Sequence, residues 1–339
     1  MLEKPNIITQ QIVDCLAANY GIQAKDIVFL PIGNASNTWV YRVITDTDSF
    51  FLKLKKDVSE VSLSVPRYLA DSGIDAVVAP VYSKSRRLSE TLDTYSVILY
   101  PFLDAKTGAE VGLTLFHCKE IGQILKRIHN IVLPQEVRNT LEIESFHPFP
   151  QTTIQKMEER VTQKDFNDDF QRQFADIWKK RRLEIRRIFE RANQLGQQVQ
   201  EKKSPLVLCH TDFHTSNILV SQAGKIFVVD WDAPKLAPKE RDLMFILGNE
   251  DAEQPFFEGY GQAPIDTETV AYYRHEWVGQ EFLDYSERIY GLHEMGDAVK
   301  QDALVAFERL FAPGDVVEAA YRSDGPGGGP REVRQGQGR

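Results

Sequence analysis

Cysteine is scarce in this chain. Three thiols, Cys15, Cys118 and Cys209, lie far apart in 339 residues with no CxxC pair among them. That excludes a disulfide framework and a zinc knuckle, and it points to a reducing compartment, the cytoplasm. No apolar run approaches the roughly 18 residues of a membrane-spanning helix, so no membrane association is expected. The opening MLEKPNIITQQIVDCLA breaks its apolar pattern with polar residues, unlike a secretory leader. Basic residues are outnumbered, 40 Lys and Arg against 49 Asp and Glu, for a net charge of −9. A broad nucleic-acid surface is therefore not expected, whereas an acidic protein suits a small cationic ligand. No serine sits in GxSxG, which removes a common nucleophilic-hydrolase arrangement. Internal repeats are absent too, and nothing calls for an obligatory protein partner.

What is present supports an α+β protein with two lobes. A hydrophobic content of 42% is enough for a sizeable core. After an amphipathic helix at 7–19 come strand-like runs at Asp26–Leu30, Thr38–Thr45, Ser49–Lys55, Val77–Tyr82 and Tyr95–Tyr100. In FFLKLK, apolar and polar residues alternate as in a half-buried strand. A helix is expected at 59–72, kinked or restarted by Pro66. Beyond a linker near 101–112 helix dominates from Leu113 onward, at 114–132, at about 166–200 as one long helix or two in series, at 267–290 and at 295–311. In TLFHCKEIGQILKRIHNIV, Ile121, Leu125 and Ile128 share a face. The expected division is a β-rich lobe over 1–102, a helical lobe over 103–322, and a tail over 323–339. That tail has six glycines and two prolines and buries too little to fold.

The chemistry concentrates in LVLCHTDFHTSNILV and the KIFVVDWD that follows. His210 and His214 are four apart, a zinc spacing on a helix, but LVLCH reads as a strand and HTDFH is not HExxH. Cys209, ending that strand, reads as a buried small residue rather than a nucleophile. From His210 to Asn217 the pattern is H-x-D-x-x-x-x-N, the spacing of a kinase catalytic loop. There Asp212 accepts the proton of an attacking hydroxyl, and the neutral amide of Asn217 binds Mg²⁺ without adding charge. A hairpin turning at Gln222-Ala223-Gly224 returns Asp230 beside Asn217, completing a hard-oxygen pair suited to Mg²⁺. His210 reads as structural, bonded to the loop backbone. His214 orients the loop, lines the acceptor cleft or simply packs, and Asp232 is either near the metal or exposed.

Such a loop requires ATP contacts in the β-rich lobe. Lys53, on the third strand, is placed where a kinase keeps the lysine of the α- and β-phosphates. Lys55 shares its face and reads as an exposed strand lysine. Glu60 is the expected partner of Lys53. In PIGNASNT the first hairpin offers Gly33, Ser36, Asn37 and backbone N–H groups to phosphate. Tyr100 and Phe102, where the fifth strand meets the linker, complete the nucleotide-binding set.

Together LCHTDFHTSNILV, FVVDWD, APKERDLMF and YYRHE at 272–276 resemble the aminoglycoside phosphotransferase family, over about residues 5–320. The resemblance implies a protein-kinase-like bilobal fold. It also implies Mg²⁺-dependent transfer of the ATP γ-phosphoryl group to a hydroxyl of an aminocyclitol or aminoglycoside such as spectinomycin, an antibiotic-resistance activity. It gives Asp242 the role of a buried aspartate that props the catalytic loop. Candidate carboxylates for a small, polar, cationic acceptor are Glu250, Asp251, Glu276, Glu281 and Asp284. Two alternatives stay open: a metabolic kinase of the same fold acting on choline, homoserine or a sugar, and a non-catalytic ATP-binding scaffold.

Overall fold

The computed structural model describes residues 4–5, 7–32, 37–291 and 296–323. The expected phosphate-loop residues Gly33 and Ser36 and the tail from 324 lie outside the described residues. The chain folds as two compact units. One comprises Met1–Glu142, Val207–Leu236 and Phe245–Gln262, the other Ile143–Leu206, Ala237–Met244 and Ala263–Arg339. No described helix is long and apolar enough to cross a membrane.

In the first unit, helix α1 (Thr9–Asn19) precedes an antiparallel sheet of β1 (Asp26–Leu30), β2 (Thr38–Ile44), β3 (Ser49–Lys55), β4 (Glu90–Leu92) and β5 (Tyr95–Pro101), ordered β1-β2-β3-β5-β4. Its two faces follow from the two-residue period of a strand. Trp39, Tyr41 and Val43 of β2, Leu52 and Leu54 of β3, and Val97 and Leu99 of β5 pack with Ile12, Cys15 and Leu16 of α1. The intervening positions point to the other face, so Lys53 and Lys55 share it. In the ladder Lys53 stands between Val40 and Ile98, and Lys55 between Thr38 and Ser96. β3 is thus an interior strand, fixed on both sides.

Two expected elements differ. Helix α2 (Val61–Asp71) runs through Pro66 without a restart. Proline removes one N–H there, but Leu63, Val65, Pro66 and Leu69 are all buried, and that packing holds the helix. Residues 77–82 form no strand. Val78 N–H bonds Val228 O while Val81 N–H bonds Leu99 O, so the segment is divided between two partners. Pro80, lacking a donor, separates them. The short β4 was not expected from polar SETLDTYS; it pairs with β5 across Asp93-Thr94, and Asp93 adopts a left-handed φ of 52° that aspartate tolerates.

The first unit continues through β6 (Ala105–Thr107), α3 (Gly108–Val111), α4 (Leu115–His129) and α5 (Gln135–Thr140). It later adds β8 (Val207–Cys209), the hairpin β9 (Ile218–Ser221) and β10 (Ile226–Val228), and α9 (Glu250–Tyr260). Strands β7 (Glu142–Ile143) and β11 (Lys235–Ala237) lie where the chain leaves and re-leaves this unit. As expected, Ile121, Leu125 and Ile128 of α4 are buried on one face. Helices α4 and α9 meet through glycines. A Cβ on Gly122 would lie 2.1 Å from Phe256 O, and one on Gly259 1.9 Å from Lys119 O.

The second unit is helical: α6 (Gln151–Thr162), α7 (Asp169–Lys202), α8 (Glu240–Leu243), α10 (Thr267–Tyr290), α11 (Asp297–Arg309) and α12 (Val316–Arg322). The charged 166–200 region is a single helix, α7, capped by Asp168, whose side chain accepts from Gln171 N–H. Its buried stripe joins α10 and α11 through Phe174, Trp178, Phe189, Phe282 and Phe307. Trp178 and Phe307 stack at 6.0 Å, and Phe174 and Phe307 lie 4.3 Å apart.

The α4–α9 contact yields a prediction of sign. Helix propensity alone makes Gly→Ala stabilising by about 0.5–1 kcal/mol. Gly259→Ala should instead destabilise, by about 1–3 kcal/mol, as overpacking does. Urea unfolding measures this, and a stabilised variant would mean that the helices do not approach so closely.

Candidate active site

The catalytic-loop motif leaves β8 through a strained turn. Thr211 has a φ of 77°, a left-handed conformation costly for a β-branched residue. Its hydroxyl donates to Ala233 O at 3.0 Å. His210, 1% exposed, accepts from Asp212 N–H on Nδ1 at 3.3 Å and donates from Nε2 to Val229 O at 2.9 Å. The ring rests on Trp231, with centroids 4.5 Å apart. One buried imidazole therefore ties the Asp212 loop to the segment carrying Asp230. The turn at Thr211 also breaks any helical relation between His210 and His214.

His214 caps the short 3₁₀ turn Thr215–Asn217 by accepting from Ser216 N–H on Nδ1 at 3.1 Å. That fixes the tautomer: Nε2 carries the proton and lies 3.2 Å from Asp212 Oδ2. Asn217 donates from Nδ2 to the same oxygen at 2.8 Å and to Asp212 O at 2.9 Å. Burial pushes the Asp212 carboxyl up, but the hydrogen bonds from His214 and Asn217, with the neighbouring His210, outweigh it and hold it below the usual value. The Asp212 side chain is still 47% exposed, so one side remains open to a ligand.

Asp230 arrives by the β9–β10 hairpin, in which Val228 pairs with Ile218. Val229 N–H then donates to Asn217 O at 3.0 Å, which sets the next residue beside the loop. Asp230 has a φ of 67°. Aspartate tolerates this left-handed conformation. Its Oδ1 is 2.7 Å from Lys53 Nζ. Lys53 is the main cause of the depressed Asp230 carboxyl, against the opposing effect of burial. Burial works to lower the Lys53 pKa, yet Asp230 and then Asp232 raise it above the usual lysine range. Tyr100 borders the pair, its ring centroid 6.0 Å from Lys53 Nζ, and burial pushes its hydroxyl up to about 12.

Lys55 departs from expectation. It is 9% exposed rather than solvated, and its Nζ is 2.5 Å from Asp232 Oδ2. The alternating lysines of β3 thus meet the alternating acids of DWD in two parallel ion pairs.

The remaining candidates are scattered. Glu60 is exposed at the N-cap of α2, and among the described residues no ion pair joins it to Lys53. Asn37 donates from Nδ2 to Lys56 O at 3.1 Å and accepts from the Thr38 hydroxyl. Phe102 stacks under the Arg42 guanidinium at 4.2 Å. Asp242 is fully buried on α8. Of the acceptor candidates, Glu250 and Asp251 are exposed in the first turn of α9, and Asp284 is paired with Arg288. Glu276 is buried against Arg241, with both side chains 10% exposed, which does not fit a carboxylate facing a cleft. Residues that the sequence did not single out, Thr211 and Trp231, shape the loop. Thr211 carries no sequence signal; Trp231 was visible only as the apolar residue between two acids.

As a group, Asp212, Asn217, Asp230 and Lys53 offer two carboxylates, an amide oxygen and an ammonium in two linked contacts. Asn217 spends its NH₂ on Asp212, which leaves Oδ1 as the donor atom. The set fits a divalent cation of the Mg²⁺ type. A sequence profile of the phosphotransferase enzyme family matches residues 27–275. No curated protein matches the sequence. Among solved structures, the spectinomycin phosphotransferase APH(9)-Ia in complex with ADP and spectinomycin superposes with a TM-score of 0.84 at 29% identity, covering 94% of this chain and 99% of that one. Its AMP complex gives 0.79 at 30% identity, covering 93% and 98%. The choline kinase LicA from Streptococcus pneumoniae gives 0.57 at 14%, covering 92% and 98%, a likeness of fold. These matches identify the α+β architecture as the kinase-like one.

The buried Arg241–Glu276 pair separates scaffold from acceptor site. Glu276→Gln strands a buried guanidinium, and breaking such a pair costs about 3–5 kcal/mol. Denaturant unfolding should show that loss. Full stability together with weakened acceptor binding would instead place Glu276 at the acceptor.

Proposed function

Because the chain belongs to the phosphotransferase enzyme family, we propose that it moves the γ-phosphoryl group of ATP, with Mg²⁺, to a hydroxyl of an aminocyclitol such as spectinomycin. The reaction class carries over from the family. The acceptor rests on the 0.84 TM-score to a spectinomycin phosphotransferase solved with ADP and spectinomycin. A net charge of −9 favours an ammonium-bearing acceptor.

The carrying observation is the Asp212 carboxylate, with one oxygen fixed by His214 and Asn217 and one side open. In this reading the acceptor hydroxyl donates to the open side, which aims its lone pair at the γ-phosphorus. A carboxylate held below its usual pKa is a weak base. It orients the hydroxyl and takes the proton late, as suits a loose phosphoryl-transfer transition state. His214 keeps Asp212 ionised and stops its rotation. Lys53, released from Asp230, neutralises phosphate charge from the rigid strand β3. Asn217 Oδ1 and the Asp230 carboxylate would hold Mg²⁺, which when bound would offset the charge of the transferring phosphates.

Purified protein should consume ATP in a Mg²⁺-dependent way, stimulated by spectinomycin. Asp212→Ala should lower turnover at least about 10²-fold, the scale of a lost general base, while still binding ADP. Stimulation by choline, homoserine or a sugar would keep the mechanism and replace the acceptor. A near-normal rate in the variant would remove Asp212 from the base role, and ATP binding without turnover on any acceptor would favour a scaffold.

A further inference from the structure

We infer that Lys55 and Asp232 form a positioning pair that holds the Asp230 turn against β3 when Lys53 and Asp230 part to take nucleotide and metal. The inference rests on the phosphotransferase reading above. Its ground is the pair of rungs: Lys53–Asp230 at 2.7 Å and Lys55–Asp232 at 2.5 Å, between the same strand and the same turn.

The two rungs differ in what ligand binding asks of them. Lys53 and Asp230 spend one ammonium donor and one carboxylate oxygen on each other, so taking up phosphate and metal loosens that rung. Once it loosens, the turn loses its direct tie to β3 next to a residue in the left-handed region. The hairpin ladder does not reach this far, since its last paired residue is Val228. What remains is Val229 N–H on Asn217 O, Val229 O on His210, Ala233 O on Thr211, the buried Trp231, and Asp232 on Lys55. The first four tie the turn to the catalytic loop. Only the last, among the described residues, ties it to the nucleotide strand. Lys55 is suited to a fixed role, because its side chain is 11% exposed and its strand is paired on both sides.

A competing assignment makes Asp232 a second metal ligand and Lys55 a mere neighbouring charge. The two predict opposite signs. If Asp232 bound the metal, removing the Lys55 cation would strengthen Mg²⁺ binding, while Asp232→Asn would weaken it. If the pair positions Asp230, both single variants weaken Mg²⁺ binding, and the double variant is no worse than either alone.

The test is calorimetric binding of ADP to the full chain with and without Mg²⁺, for wild type, Lys55→Met, Asp232→Asn, the double variant and Lys55→Arg. Binding in the absence of Mg²⁺, together with circular dichroism, monitors folding. Each neutral variant should lose about tenfold of the Mg²⁺-dependent gain in ADP affinity, the low end for residues that orient metal ligands. Metal-free ADP affinity should change little, the double variant should match the singles, and Lys55→Arg should restore most of the gain. Tighter Mg²⁺ binding in Lys55→Met, additive losses, or unchanged variants would overturn the positioning pair. No Mg²⁺-dependent ADP binding by the wild type would overturn the phosphotransferase reading itself, and the pair with it.

Discussion

The ion pair between Lys53 and Asp230 is the constraint on which the rest of the site depends. It spans 177 positions of sequence and places a strand interior against a turn that follows a separate hairpin. Exposed ion pairs contribute little, but here the lysine side chain is 17% exposed and the two partners shift each other's protonation in opposite directions. Two opposite charges are thereby held against each other without the lysine being left buried and unpaired. In the proposed reaction, ligand binding is an exchange of partners, which avoids much of the desolvation that a vacant pair of charges would require.

Around that pair the fold divides its tasks. The sheet supplies a rigid cation through simple alternation: one face of β3 packs on α1, the other presents Lys53 and Lys55. The loop after β8 carries Asp212, the proposed base, and its strain at Thr211 is held by Thr211–Ala233 and His210–Val229 hydrogen bonds. His210 matters to both sides, since it touches the Asp212 amide and the residue before Asp230. In the second unit a buried guanidinium–carboxylate pair stands within helices packed by stacked aromatic rings.

Much of this was legible in the sequence because it is local. Strand alternation in FFLKLK marks Lys53, and the spacing from His210 to Asn217 marks Asp212 and its amide partner. Long helices without an internal proline, such as 267–290, are readable in extent. What was not legible depends on distant partners. Lys55 read as exposed because nothing within the strand announces Asp232. Glu276 read as an acceptor candidate because a helical carboxylate does not reveal the arginine opposite it. Residues 77–82 read as a strand because β-branched residues favour one, yet the segment has two different neighbours. The hairpin of β4 was hidden by a polar sequence whose only signal is an aspartate able to turn left-handed.

In the proposed reaction the protein delivers phosphoryl groups to an acceptor hydroxyl that Asp212 addresses directly. The most direct measurement is the fate of isotopically labelled γ-phosphate of ATP, followed by mass spectrometry with spectinomycin present. The account predicts label on an acceptor oxygen in proportion to the ADP formed. Label recovered only as inorganic phosphate, or retained on the protein, would contradict it.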